Sequence, residues 1–304
     1  MKYKNLLIFL LLTVAASCKQ KTETKRATLK NGNTHVAILL YPGVELLDFS
    51  GPAEVFSNAK GFEVYTVSTG GKNITTKNST LKVTADYTLQ DAPQPDIIVV
   101  PGGPMTAINP VTANVKTMDW IKQASHKTQL IMSVCTGAEI LGKAGLLENK
   151  SATTHQSALD TLQSLYKNTR FVKDVRFVED GKLLTTAGVS AGIDGALHVV
   201  QKLKGLKEAL FVTLVMQYDK WKPEEGLIAN AKPMTGMQSA DRSSMEEKMQ
   251  QKEVLPADGK DIVCGMPLMK SSKYTYQYKG KVYGFCSPGC KKLFVTHPEL
   301  YVSK

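Results

Sequence analysis

The chain has 304 residues, 42% hydrophobic and 21% charged, a composition that excludes a disordered or fibrous protein. Five Cys are too few for a disulfide-dense secreted scaffold. The net charge of +11 comes from the two ends, residues 1–33 and 256–304, and residues 34–255 are neutral. A neutral main body without a helix-turn-helix pattern argues against nucleic acid as a partner.

The chain opens with Lys2 and Lys4, then the apolar run Leu6–Leu12, then small residues up to Cys18. A charged start, a short apolar stretch and small residues describe a secretory signal. The stretch is too short to span a bilayer. Ala15-Ala16-Ser17-Cys18 resembles a bacterial lipobox, with Ala15 where Leu is more usual. That resemblance implies a signal peptide over residues 1–18 and lipid on Cys18, which would anchor the protein to a membrane. It places the protein in the cell envelope, facing the periplasm from the outer membrane. Residues 19–33 are a polar, Lys- and Thr-rich tether.

Continuous apolar runs follow at His35–Tyr41, Phe62–Ser68, Asp96–Val100 and Gln129–Val134. Such runs suit strands buried on both faces. Helical spacing lies between them at Pro52–Ala59, at Ala113–His126 after a turn at Asn109-Pro110, and at Ala138–Leu147 and Ile193–Leu203. Strands alternating with helices predict an α/β fold, a flavodoxin-like three-layer sandwich with a mostly parallel sheet. Phe171–Glu179 and Lys182–Thr186 flank Asp180-Gly181, a hairpin signal. The main domain is expected over residues 34–222. Residues 223–257 read as a linker with one exposed helix at Ser243–Lys252. Residues 258–304 form a small Cys-containing α+β module.

Cys135 stands between a predicted strand and a predicted helix, in Ile131-Met132-Ser133-Val134-Cys135-Thr136-Gly137-Ala138. A residue there is forced into a tight turn at the sheet edge, as in a nucleophile elbow. The helix N-terminus is expected to lower the thiol pKa. A buried structural Cys is the other reading of the position.

Several segments together make residues 34–220 resemble the ThiJ/PfpI family of glutamine-amidotransferase-like proteins, in the branch that holds isonitrile hydratases. They are Leu46–Phe56, Val100-Pro101-Gly102-Gly103, Ser133–Ala138, Leu141–Leu147, Ala152–His155 and Gly188–Asp194. The resemblance implies that Cys135 is the nucleophile and that Asp48, on the loop after the first strand, contacts it. It implies that the amides of Gly103 and Thr136 form an oxyanion hole, and it places Gly102 in the same segment as a substrate-binding residue. It gives the main domain no cofactor and makes a homodimer the expected assembly. Thr136 replaces the His that follows the nucleophile in peptidase-like relatives, which argues against peptidase activity. His155 is either a lining residue of the substrate site or a structural hydrogen-bonding group. Glu54 reads as structural, and Ser190 and Asp194 as helix caps.

In the C-terminal module Cys264 precedes the tight turn Cys286-Ser287-Pro288-Gly289-Cys290. Such spacing turns thiolates toward one ion. Asp261–Pro267, Tyr278–Cys290 and His297–Tyr301 make the module resemble a YHS domain, close to TRASH-type metal-binding modules. The resemblance implies a soft or borderline metal on Cys264, Cys286 and Cys290, zinc or copper, with His297, water or a small molecule fourth. A disulfide between two of these Cys is the alternative outside the cytoplasm.

These features point to a membrane-anchored lipoprotein whose Cys135 acts on a small electrophilic molecule, an isonitrile first and a reactive carbonyl second. The alternative is a non-enzymatic lipoprotein for redox or metal sensing, with Cys135 responding to oxidants or holding a ligand.

Overall fold

A computed structural model describes residues 29–229, 259–268 and 274–302. The expected signal peptide, Cys18, most of the tether and the helix at Ser243–Lys252 lie outside the described residues. In chain order the main domain holds β1 (Thr34–Leu40), α1 (Leu46–Asn58), β2 (Phe62–Ser68), β3 (Asn73–Thr75), β4 (Lys82–Thr84) and β5 (Tyr87–Thr88). It continues with β6 (Ile97–Val100), α2 (Met105–Ala113), α3 (Val115–Lys127), β7 (Leu130–Val134), α4 (Gly137–Lys143), β8 (Ser151–Ala152) and α5 (Leu159–Leu165). Then come β9 (Arg170–Phe171), β10 (Phe177–Asp180), β11 (Leu183–Thr186), α6 (Ala191–Lys204), α7 (Leu206–Val215) and β12 (Gly226–Ile228).

The sheet has eight strands in the order β12-β10-β11-β7-β6-β1-β2-β5, parallel throughout except where β10 runs against β11. Its centre is fully buried because β1 and β6 are unbroken apolar runs: Val36–Leu40 and Ile97–Val100 are all inaccessible. α1 packs on α6 and α7, while α2 packs on α3 and α4. β1 leads to β2 on one side and β6 leads to β7 on the other, so the winding reverses between β1 and β6. The carboxyl ends of strands at such a switch point are where open α/β sheets place their sites. Asp48 follows β1, Gly102 and Gly103 follow β6, and Cys135 follows β7.

The structure corrects four sequence readings. α1 begins six residues before Pro52, so Asp48 lies in its first turn and not in a loop. Pro52 is buried inside that helix, which costs only the hydrogen bond that its missing N–H would give Asp48. The segment before α3 is helical too: Pro110 sits inside α2, and the chain breaks at Asn114. The Asn114 carboxamide accepts the Thr117 N–H at 3.2 Å, capping α3. The hairpin forms between Phe177–Asp180 and Leu183–Thr186, but Arg170–Phe171 pairs with β8 in a separate small sheet. Lastly, Gly226–Ile228, read as the start of the linker, pairs with β10 as the sheet's edge strand. Only a partner strand across the sheet reveals so short a strand.

The small module holds the antiparallel pair β13 (Tyr274–Tyr278) and β14 (Lys281–Phe285), then α8 (Pro288–Thr296). Phe294 is inaccessible and its ring meets those of Tyr276, Tyr278, Tyr283, Phe285 and Tyr301. One aromatic residue thus supplies the centre of a core too small to be built otherwise. The module touches the main domain where Leu214 of α7 meets Gly289 and Lys207 lies 4.8 Å from the Tyr301 ring.

The joint between β7 and α4 allows no side chain at Gly137. A Cβ there would come within 2.2 Å of the Val100 carbonyl oxygen and 2.9 Å of that of Pro101. Gly137→Ala is expected to lower stability by about 1–3 kcal/mol, the range for overpacking, as measured by urea unfolding. A neutral effect would mean that α4 shifts freely off β6.

Candidate active site

Cys135 is a non-glycine residue in the left-handed region, at φ 57°. The strain is held by backbone bonds on both sides. Its N–H donates to Ala187 O at 2.9 Å, and its carbonyl accepts the Thr154 hydroxyl at 2.8 Å. The side chain is 7% exposed. The elbow read from the sequence is therefore present, and the thiol lies just below the surface.

The pKa expectation fails. Burial, and then the charge of Asp48, push the Cys135 thiol up to about 11, against opposing hydrogen bonds from the amides of Thr136 and Val189. The partial positive charge of a helix terminus favours a thiolate, but here burial and the adjacent Asp48 carboxyl both act the other way and outweigh it. Asp48 is wholly buried. Burial raises its pKa to about 7; the Gly102 amide opposes the rise, Glu45 adds to it, and the Cys135 thiol and Lys77 oppose it. With the carboxyl at about 7 and the thiol at about 11, both groups carry a proton below about pH 7, and above it the remaining proton stays on the sulfur. Oδ2 of Asp48 accepts the Gly102 N–H at 3.0 Å, and Oδ1 has no protein partner.

The glycines after β6 are used differently from the expectation. The Gly103 N–H donates to Thr136 Oγ1 at 2.9 Å, and that hydroxyl donates to the Gly103 carbonyl at 2.7 Å. Gly103 offers no free amide in this state because a hydroxyl from the neighbouring elbow satisfies it. The Gly102 N–H serves Asp48 and so positions the acid, not a substrate. A Cβ on Gly102 would lie 2.6 Å from Thr136 Oγ1 and 2.9 Å from Asp48 Oδ2, so only glycine lets these groups meet. The amides that face the sulfur are those of Thr136 and Val189. Val189 was not singled out from the sequence; its signal is the turn into α6, where it adopts φ 33°.

A cleft of about 620 Å³ opens beside the elbow, lined by Thr153, Thr154, His155, Arg176, Gly188 and Val189 among others. Cys135 is not on its wall but adjoins it through Ala187 and Val189, whose backbone holds the elbow. His155 is half-buried and lines this cleft, with Nδ1 2.7 Å from the Ser157 hydroxyl and its ring over Gly188. Ser190 and Asp194 do not cap α6. Asp194 pairs with Arg176 and accepts the Tyr218 hydroxyl at 3.0 Å, while Ser190 Oγ accepts from Arg176. They clamp β10 to α6. Glu54 is exposed and bonded to Asn58, as its structural reading requires.

In the small module the sulfurs of Cys264 and Cys286 are 3.5 Å apart, and those of Cys286 and Cys290 are 3.7 Å apart. None of these Cys is in a disulfide. Thiolates sharing a tetrahedral ion at about 2.3 Å stand about 3.7 Å from one another, so the three sulfurs fit one soft or borderline cation. The fourth donor within reach is Asp261, with all ligand atoms inside 4.8 Å of one another. His297, one of the three alternatives for the fourth position, lies 3.5 Å from Glu299. Asp261 is inaccessible, and its two oxygens accept the amides of Val263 and Cys286 at 2.8 Å each. It ties the two Cys-bearing loops together, a role only the folded module reveals.

The sequence profile of the DJ-1/PfpI family matches residues 34–202, more than half of the chain, and that of the YHS domain matches residues 260–304. The chain belongs to the DJ-1/PfpI family and carries a C-terminal YHS domain. Over 183 residues it is 37% identical to an isonitrile hydratase of Pseudomonas putida, covering 60% of this chain and 78% of that protein. A ThiJ/PfpI family protein from Pseudomonas syringae superposes with a TM-score of 0.58 at 27% identity, over 66% of this chain and 85% of its own. Drosophila melanogaster DJ-1beta gives 0.54 at 25% identity, over 61% and 98%.

Two outcomes follow from the buried groups. Asp48 binds its proton more tightly when folded than in the unfolded chain, where it titrates near about 4. Its burial therefore costs nothing at low pH and costs progressively more as pH rises from about 4 to about 7. Asp48→Asn is expected to be more stable than the wild type at pH 8 by roughly 2–4 kcal/mol in urea unfolding, with the gap closing by pH 4. A constant gap across that range would mean that the carboxyl is not the strained group. In the module, Cys286→Ser is expected to abolish high-affinity zinc or copper(I) binding, and Asp261→Asn to weaken it about 10–100-fold. Competition with a chromogenic chelator measures both, and undiminished binding in Cys286→Ser would dismiss the cluster as the site.

Proposed function

We propose that the main domain hydrates a small isonitrile to the N-substituted formamide, using Cys135 as nucleophile and Asp48 as its proton partner. The observation that carries this reading is a buried carboxyl raised to about 7 and set against the thiol of a strained elbow. The isonitrile hydratase of Pseudomonas putida, which shares this domain, supports the substrate class.

In this scheme Asp48 takes the thiol proton as sulfur bonds to the terminal isonitrile carbon. That carbon then takes a proton, leaving a thioimidate with a C=N bond. The amides of Thr136 and Val189 face the sulfur and favour the thiolate as it forms. Water adds to the thioimidate carbon, the C–S bond breaks, and the sulfur recovers a proton. The net change is one water added across the isonitrile. No redox partner is needed. The YHS domain holds its metal apart from this step, through Cys264, Cys286 and Cys290, and we read it as a metal-handling module for zinc or copper. Lipid on Cys18, an envelope location and a homodimer belong to the same reading and rest on the sequence resemblance. Among the described residues no helix is long and apolar enough to cross a membrane.

The test follows formamide appearance by proton NMR with the full-length protein and a small alkyl isonitrile. Cys135→Ala is expected to lose on the order of a thousandfold or more in rate, and the wild-type rate to fall below about pH 7 as Asp48 becomes protonated. Turnover retained in Cys135→Ala would end this reading. A small dicarbonyl compound run in parallel tests the reactive-carbonyl alternative.

A further inference from the structure

Lys77, between β2 and β5, and Glu45, between β1 and α1, form a pair of charges that no part of this mechanism uses. β3 and β4 form a hairpin whose tip is a single turn at Lys77–Ser79. Asn78 and Ser79 both sit at φ 55°, so two successive non-glycine residues are held in the left-handed region. Thr76 pins this turn from below. It is buried, and its hydroxyl accepts the Leu81 N–H at 2.9 Å while its own N–H donates to Leu81 O.

The turn is fastened to the segment that carries the acid. Gly43 N–H donates to Thr75 O at 2.8 Å, and Lys77 N–H donates to Val44 O at 2.9 Å. The Lys77 ammonium lies 2.7 Å from Glu45 Oε2. Glu45 N–H donates to Gly102 O, and Gly102 N–H donates to Asp48. A continuous set of bonds thus runs from Lys77 to the buried carboxyl. Both Cys135 and Asp48 act electrostatically on Lys77, and Glu45 and Lys77 act on Asp48 with opposite signs.

We propose that Lys77 is a positioning residue for the thiol chemistry: seated on Glu45 by the strained turn, its ammonium favours the ionised form of the Asp48–Cys135 pair, and Glu45 opposes it. The inference rests on Cys135 being the nucleophile. The other charged or titratable groups near the pair come from three further places. Tyr41, at the end of β1, donates its hydroxyl to Pro101 O at 2.8 Å and stays neutral. Glu139 of α4 faces Lys143 and Tyr166. His155, on the wall of the cleft, bonds the hydroxyl of Ser157 two residues on. Lys77 is therefore the cation placed to balance two buried acidic groups, and its side chain, 42% exposed, also reaches the solvent a substrate comes from.

The experiment measures the rate of Cys135 alkylation by iodoacetamide in the full-length protein from pH 6 to about 12.5, read by peptide mass spectrometry. Lys77→Met and Glu45→Gln break the same ion pair but remove opposite charges. Lys77→Met is expected to move the midpoint up by roughly half a unit, and Glu45→Gln to move it down by a similar amount. Lys77→Arg keeps the wild-type midpoint, and the double variant returns close to it. Shifts in the same direction, or no shift, would show that the pair only latches the loop and would overturn the proposal. If Lys77→Met fails to fold, judged by circular dichroism, the downward shift of Glu45→Gln and the unchanged Lys77→Arg decide the matter alone. Alkylation does not depend on any substrate, so isonitrile turnover can fail while this result stands. A wild-type Cys135 that stays unmodified at every pH would overturn both this inference and the nucleophile assignment.

Discussion

The site depends on one forced geometry. The chain must leave β7, turn within one residue, and start α4 against the carbonyls of Val100 and Pro101. Gly137 permits the approach, and Cys135 takes the left-handed conformation that the turn requires. Bonds from Cys135 to Ala187 and Thr154 hold that strain in place. Everything else in the site is arranged around a sulfur that cannot move far. Gly102 must lack a side chain so that Asp48 and Thr136 can meet beside it. The Thr136 hydroxyl then occupies the Gly103 amide. Fixing the groups beforehand is what makes their electrostatic effect on a reacting atom large.

Burial sets the electrostatics of this pair. A carboxyl with no access to water resists ionising, and a thiol beside it resists more strongly. Neither group is charged cheaply, so the sulfur keeps its proton at neutral pH and the carboxyl titrates near about 7. The orphaned Oδ1 of Asp48 is part of the same condition. A buried acceptor without a donor is unstable at rest and better satisfied once a protonated group approaches it. The domain holds these costs in a sheet whose central strands are inaccessible on both faces.

The YHS domain solves a different problem with the same economy. It is too small for a deep apolar core, and Phe294 with its ring of aromatic neighbours supplies most of one. Asp261 does the joining, since its two oxygens fasten the Cys264 loop to the Cys286 turn through backbone amides. The three sulfurs are thereby brought to the separation that a shared cation would impose. A module organised this way has its ligands in register before an ion binds.

Much of this was legible in the sequence because it is written in local patterns. The apolar runs at residues 35–41, 62–68, 96–100 and 129–134 became the four adjacent parallel strands β1, β2, β6 and β7, and Cys135 between strand and helix gave the elbow. Short or interrupted elements were less legible. Pro110 looked like a helix boundary and is inside a helix, while Gly226–Ile228 is a strand only because β10 accepts it. The sequence by itself determined the order of strands and helices, the elbow at Cys135 and the three clustered Cys, since each depends on neighbours along the chain. The tertiary structure alone decided which amides face the sulfur, that Asp261 replaces His297 beside the thiols, and that Lys77 and Glu45 flank the acid. These depend on groups brought together from distant segments, and on burial that removes water from between them. Neither quantity has a local signature.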